Sequence, residues 1–343
     1  MMTEAQLRSR LHAGLVIPAL PLALDDQRHW SQPHQRALVR YYIAAGAGGL
    51  AVAVHSTQFE IRAPQHGLFQ PVLELSASVM DKEAPEDFVR ISGICGHTDQ
   101  ALEEAALAKN LGYHAGLLSP GGAWKDATEE VFLTHCQKVS EILPIIGFYL
   151  QPAVGGRVFS YDFWRRFAEI PRVVAIKIAP FNRYYTLDVI RAVADSGRND
   201  IALYTGNDDS ILTDLLTTWP GGQIIAGGLL GQWGVWTKRA VEMLEEVKAA
   251  RATATMASDW LTKNAALTDA NAAVFDAAHS FHGCIPGILE ILRRQGLVPS
   301  INCLNPDEVL SPGQAEELTR VSAAYPWLTD DDFVRENLAA WLS

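Results

Sequence analysis

Lys177 is the residue whose type and setting most directly imply chemistry. It is the only charge in the apolar run Val173-Val-Ala-Ile-Lys-Ile-Ala-Pro180. On a β-strand, alternation puts Ala175, Lys177 and Ala179 on one face and Val174, Ile176 and Ile178 on the other. Burial disfavours an ammonium, by up to ~3–5 pKa units at full burial, so a lysine so placed can be a neutral amine that attacks a carbonyl carbon. The product would be a Schiff base. The competing reading is a strand-end lysine whose stem packs on apolar neighbours while its amine reaches water.

Three further segments carry groups such chemistry needs. Gly147-Phe-Tyr-Leu-Gln-Pro152 places Gly147, Tyr149 and Gln151 on one strand face, making Tyr149 either a proton carrier or a core residue with its hydroxyl satisfied. His55-Ser56-Thr57-Gln58 offers hydroxyls and backbone donors for a carboxylate, or simply a polar turn with a helix cap. Thr205-Gly206-Asn207-Asp208-Asp209 combines a permissive glycine with an acidic pair that binds a ligand or caps a helix. Gly227-Gly-Leu-Leu-Gly231 suits phosphate or close backbone packing, with no lysine or arginine inside it to favour phosphate.

These segments need a scaffold, and the apolar pattern supplies one. Short apolar runs recur at Leu15 to Leu20, Gly49 to Val54, Val89 to Cys95, Ala115 to Ser119, Ile145 to Leu150, Val173 to Ala179, Ile201 to Thr205 and Ile224 to Gly228. A longer amphipathic stretch follows each, the alternation of a parallel α/β fold. Eight units over roughly 240 residues predict a (β/α)8 TIM barrel, whose sites lie at the C-terminal strand ends. All of the segments above close such runs. No GxGxxG follows the first run, which counts against a dinucleotide-binding sheet.

Beyond about residue 250 the pattern becomes helical, over Thr255 to Ala278, Gly287 to Gly296, Pro312 to Ala324 and Asp331 to Leu342. The expected division is a barrel over 1–250 and a helical region over 251–343 packed on it. Ser311-Pro-Gly-Gln314 reads as a helix start, with Ser311 as cap and Gln314 completing a capping box.

Composition narrows the function classes. The 343 residues are 48% hydrophobic with a net charge of −11, enough for a sizeable core and unsuited to a nucleic-acid surface. The sequence has neither a membrane-spanning apolar stretch nor a signal-peptide layout at Met-Met-Thr-Glu-Ala-Gln-Leu-Arg, so a cytoplasmic location is the expectation. Cys95, Cys136, Cys284 and Cys303 are widely spaced and form no CxxC or Cys/His ligand set, suggesting neither zinc nor a disulfide framework.

Together, the strand-five tyrosine, the strand-six lysine, the hydroxyl turn and the helical tail resemble the dihydrodipicolinate synthase and N-acetylneuraminate lyase family. The likeness runs from Gly14-Leu-Val-Ile-Pro-Ala-Leu-Pro21 through Gly93-Ile-Cys-Gly-His97, Gly147-Phe-Tyr149, Ala175-Ile-Lys177 and Gly206-Asn-Asp-Asp209 to Gly283-Cys-Ile-Pro-Gly287. Tyr149 precedes Lys177 by 28 residues, as in the family. The resemblance implies a class I aldolase: Lys177 forms an imine with a 2-oxo acid such as pyruvate and no separate cofactor or metal takes part. It implies that Tyr149 relays protons and that Ser56 and Thr57, or His55 and Ser56 one place earlier, hold the carboxylate. Gly206 would border the substrate, Ile225 would offer a backbone carbonyl near the imine, and the chain would form a homodimer or tetramer.

Two departures bear on the second substrate. Where the synthases carry a carboxylate-binding arginine five places after the tyrosine, this chain has Val154, with Arg157 nearby. Where they carry tyrosines after the strand-four proline, Pro120 is followed by Gly121, Gly122, Ala123 and Trp124. Trp124, Val154 and Phe181-Asn-Arg-Tyr-Tyr185 suggest a partly apolar or aromatic pocket for an aldehyde. The leading expectation is an aldol lyase; alternatives are a 2-keto-3-deoxy sugar-acid dehydratase or hydratase-aldolase on the same lysine, and a non-catalytic 2-oxo-acid sensor.

Overall fold

A computed structural model describes residues 2–343. Among the described residues are nine strands: β1 (Val16–Pro18), β2 (Gly49–Val52), β3 (Val89–Ile94), β4 (Ala115–Leu118), β5 (Ile145–Leu150), β6 (Val173–Ala179), β7 (Ala202–Thr205), β8 (Thr218–Trp219) and β9 (Gln223–Leu230). Eight of them follow the order β1-β9-β7-β6-β5-β4-β3-β2, and the short β8 pairs antiparallel with β9. A parallel bridge from Ala19 to Ala51 links the two ends of that order. With helices between the strands and more helices after them, the chain is a (β/α)8 barrel with a C-terminal helical part, as the sequence pattern predicts. No helix among the described residues is long and apolar enough to cross a membrane.

Contacts group the chain into two compact units, 1–15 with 89–229 and 16–88 with 230–343. The first holds β3 to β8 and nearly all of β9. Its strands are almost wholly buried, as expected where both sheet faces are covered. The helix Arg183–Ser196 after β6 is capped at both ends: Asn182 accepts from the Tyr184 and Tyr185 N–H groups, and Gly197 ends it at φ 71°.

The second unit holds β1, β2 and the tail helices. Asp330 is its main polar tie, accepting from the Tyr41 hydroxyl at 2.7 Å, from Lys238 N at 3.1 Å and from Gln295 Nε2 at 2.9 Å. The tail helices run Asp259–Val274, Cys284–Arg294, Gln314–Ala324 and Asp331–Leu342. One cap differs from expectation. Gly313, not Ser311, is the N-cap of Gln314–Ala324; Gln314 Oε1 accepts from Ser311 N at 3.1 Å, as the expected box has it, while the Ser311 hydroxyl donates to Asp276 at 2.5 Å.

Candidate active site

Lys177 lies mid-way along β6, only 9% exposed. Its partners in register are Phe148 on β5 and Tyr204 on β7, so these three share a face. The Lys177 nitrogen sits 4.3 Å from the centre of the Phe148 ring, within cation–π range. On β7's side, Gly206 leaves room for the lysine stem: a Cβ there would come 2.7 Å from Lys177 Cε and 2.8 Å from Ala179 Cβ. The Lys177 side chain thus packs against small and aromatic neighbours.

Tyr149 lies on the other face. At the start of the pair Ile145 partners Val173, an offset of 28 residues that would set Tyr149 opposite Lys177 if it continued. A register shift follows, Ile146 partnering Ala175, and Val174 is the extra residue. Thereafter Phe148 partners Lys177 and Tyr149 partners Ile178. Because strand faces alternate with period two, this single step turns the phenol to the helix side. There the Tyr149 ring lies 5.2 Å from Trp164 and 5.9 Å from both Phe159 and Tyr185. Its hydroxyl donates to Phe159 O at 3.4 Å and accepts from Phe159 N at 3.3 Å. Burial pushes the phenol up to about 12. Gly147 does share Tyr149's face, since a Cβ on it would meet Phe167 at 2.6 Å. The expectation that Tyr149 relays protons beside the lysine thus loses its geometric basis. Phe148, which the sequence reading passed over, takes that place.

A buried polar network holds the turn after β7. Asp214 accepts from Thr205 Oγ1 at 2.6 Å and from Asn207 Nδ2 at 2.9 Å, and its other oxygen pairs with the Arg183 guanidinium, which stacks on Trp219. Asn207 also donates to Thr186 Oγ1 and accepts from Phe181 N. These bonds fix the backbone on both sides of Gly206. Asp208 is buried and Asp209 exposed, and Ser210 rather than either aspartate occupies the cap position of the next helix. Ile225 is buried on β9 and partners Leu203, so its side chain is on the face away from Lys177; Gly227 partners Tyr204 and takes the lysine's face. A Cβ at Gly227 would come 2.4 Å from Leu15 O, so close backbone packing explains the glycine.

In the second unit, His55–Thr57 form a single 3-10 turn directly after β2, flanked by Ala53 at φ 60° and Gln58 at φ 68°. Both left-handed residues are non-glycine, a local strain of the kind concentrated at functional sites. Thr57 Oγ1 donates to Leu20 O at 2.6 Å and accepts from Val54 N at 3.2 Å, so its donor and an acceptor position are both used. Ser56 Oγ donates to the same carbonyl at a longer 3.3 Å. His55 is half-buried with its ring 6.0 Å from Phe59.

The loops after β4 and β5 are tied together. Arg157 Nη1 donates to Trp124 O at 2.8 Å and Ala127 O at 2.5 Å, and its guanidinium lies 5.0 Å from the Phe159 ring. A Cβ on Gly121 would come 2.6 Å from Gly155 O, so the two loops touch through backbone. Trp124 is buried, donates to Gly96 O at 2.8 Å and packs 4.2 Å from the His135 ring. Burial holds His135 down to about 4, so it is neutral at ordinary pH.

A barrel with strand-end polar turns and a C-terminal helical part is the class these features define. Among solved structures, a chloride-inhibited dihydrodipicolinate synthase from Acinetobacter baumannii complexed with pyruvate is similar, at 21% identity and TM-score 0.74 over 91% of this chain and 98% of that one. A dihydrodipicolinate synthase from Oceanobacillus iheyensis is similar at 16% identity and TM-score 0.77, over 94% and 99%. An N-acetylneuraminate lyase from Fusobacterium nucleatum follows at 15% identity and TM-score 0.71, over 92% and 99%. No protein-family model matches the sequence. No curated protein matches it either. At these identities the likeness is one of fold, and it is to the family that the sequence motifs resemble.

Proposed function

We propose that the protein is a Schiff-base-forming lyase acting on a 2-oxo acid, with Lys177 as nucleophile. The observation that carries the reading is a buried lysine on the strand face turned away from the helices, set against Phe148 and Gly206, in a fold shared with a synthase solved with pyruvate. The amine adds to C2, the carbonyl oxygen leaves as water, and an iminium remains on the lysine nitrogen. In cleavage, the C3–C4 bonding pair moves into the iminium to give an enamine, while the C4 hydroxyl loses its proton and becomes an aldehyde carbonyl. Protonation at C3 and hydrolysis then release the 2-oxo acid and the free amine. Condensation is the reverse sequence.

Ser56 is the better of the two hydroxyls for holding the carboxylate, because its bond to Leu20 O is the longer and Thr57 already bridges two backbone groups. A register of His55 with Ser56 is the form this reading favours, with Gly206 beside the bound substrate and the Ile225 backbone near the imine. The reading carries with it a cytoplasmic homo-oligomer that needs no resident metal. Borohydride reduction with pyruvate tests it: the peptide containing Lys177 should gain the mass of the reduced adduct. An unmodified Lys177 peptide, or wild-type turnover by Lys177→Ala, ends the proposal. Pyruvate released from the physiological substrate would distinguish cleavage from dehydration on the same lysine.

A further inference from the structure

We infer that the carbonyl compound joined to, or released from, the imine is an uncharged alkyl or aryl aldehyde rather than a carboxylated or polyhydroxylated one. This rests on the imine reading and names its second substrate. The face that Lys177 shares with its neighbours can be followed through the register. Leu117 partners Ile146, Ile146 partners Ala175, Phe148 partners Lys177 and Leu150 partners Ala179. Across β4, β5 and β6 that face therefore reads Leu117, Ile146, Phe148, Leu150, Ala175 and Ala179 around a single amine.

An atom bonded to the lysine nitrogen lies next to the Phe148 ring, since the nitrogen itself is 4.3 Å from the ring centre. C2 of the imine bears two branches, a carboxylate and the C3 chain where bonds form and break. An aromatic face carries negative charge density, so the carboxylate is repelled from it and the C3 branch is the one set against Phe148. The incoming or departing aldehyde then meets the same apolar wall. A second carboxylate there would be desolvated without a partner, which is among the costlier states for a charged group.

Two arginines of the neighbouring loops are committed elsewhere. Arg157 is held by the Trp124 and Ala127 carbonyls beside Phe159, a ring that packs on the helix-side face of Tyr149. Arg183 pairs with Asp214 and stacks on Trp219.

In condensation, C3 of the enamine bonds to the aldehyde carbon, the aldehyde oxygen takes up a proton, and hydrolysis of the iminium frees a 4-hydroxy-2-oxo acid and Lys177. The experiment gives the purified enzyme pyruvate with a matched set of aldehydes: benzaldehyde and an unbranched alkyl aldehyde against succinic semialdehyde and glyceraldehyde. Product mass and kcat/KM are read alongside borohydride trapping of pyruvate. The expected result is trapping at Lys177 and a preference of about tenfold or more for the uncharged apolar aldehydes, of the size a missing charge-assisted bond produces. Phe148→Ala, with a lowered yield of trapped imine, should erase the aryl preference among the aldehydes turned over. Phe148→Leu, which keeps an apolar wall of similar volume, should lower it less and guards against a variant that fails to fold. Trapping with a preference for succinic semialdehyde or glyceraldehyde overturns this inference and leaves the imine reading standing. An unchanged aldehyde preference in folded Phe148→Ala and Phe148→Leu proteins also overturns it. Absence of trapping removes both.

Discussion

Phe148 and Lys177 are register partners on adjacent strands, with the lysine nitrogen 4.3 Å from the centre of the phenylalanine ring. The ring face favours a cation and, in the proposed reaction, the positively charged iminium.

Removing the ring should weaken the iminium. With Phe148→Leu the yield of imine trapped by borohydride at saturating pyruvate should fall, because the iminium loses its contact with the ring face. Trapping yield measured beside the wild type checks this, and an unchanged yield in a folded variant would show that the ring is only a wall.

Gly206→Ala should be costly for the site and modest for the fold. The added methyl meets Lys177 Cε and Ala179 Cβ inside normal contact distance, so the lysine stem must move. Overpacking of this kind costs about 1–3 kcal/mol. We expect trapping to slow by about tenfold or more, with far-UV circular dichroism unchanged. Wild-type trapping in a folded variant would mean the stem has room that the backbone geometry does not indicate.

Tyr149→Phe separates the two placements of the phenol. On the helix side its hydroxyl serves Phe159, so its loss leaves a buried N–H unpaired and should cost about 1–3 kcal/mol of stability. The rate constant kcat should change only a few-fold. A loss of about a hundredfold, the scale of a positioned acid or base, would reinstate Tyr149 as the proton relay.

His135 predicts an acid limb in the stability curve. Its folded value is depressed to about 4 by burial, below the ordinary histidine value of 6.5. As pH falls below about 6.5 the unfolded chain takes up the proton first, so stability present above that value is lost progressively down to about 4. The magnitude is about 2–3 kcal/mol over that window. His135→Phe keeps a ring against Trp124 and cannot protonate, so its melting temperature should vary less between pH 7 and pH 4.5 than the wild type's. Parallel curves would place the acid sensitivity elsewhere.

The strands could be read in the sequence because their signal is local. Ile145 to Leu150 and Val173 to Ala179 emerge with the ends the apolar runs indicate, and the tail helix Asp331–Leu342 does likewise. Lys177 could be found for the same reason, as one charge among buried aliphatics. Tyr149 was misplaced because its face depends on pairing between strands, and nothing in Val173-Val-Ala-Ile marks Val174 as the residue left over. Ser311 shows a related limit: its capping pattern is local, whereas Asp276, which takes its hydroxyl, lies 35 positions away in the chain.

The extra residue in β6 also separates the spacing of residues along the chain from what the barrel presents. The 28-residue spacing of Tyr149 and Lys177 resembles the family's, yet the strand pairing turns the phenol to the other face. Were Ile146 to pair with Val174 instead of Ala175, the 28-residue offset would run along the whole pair and present Tyr149 to the amine without any change of sequence. Gaining or losing a proton-carrying side chain in such barrels then needs no substitution at the site, only one strand sliding by one residue beneath it.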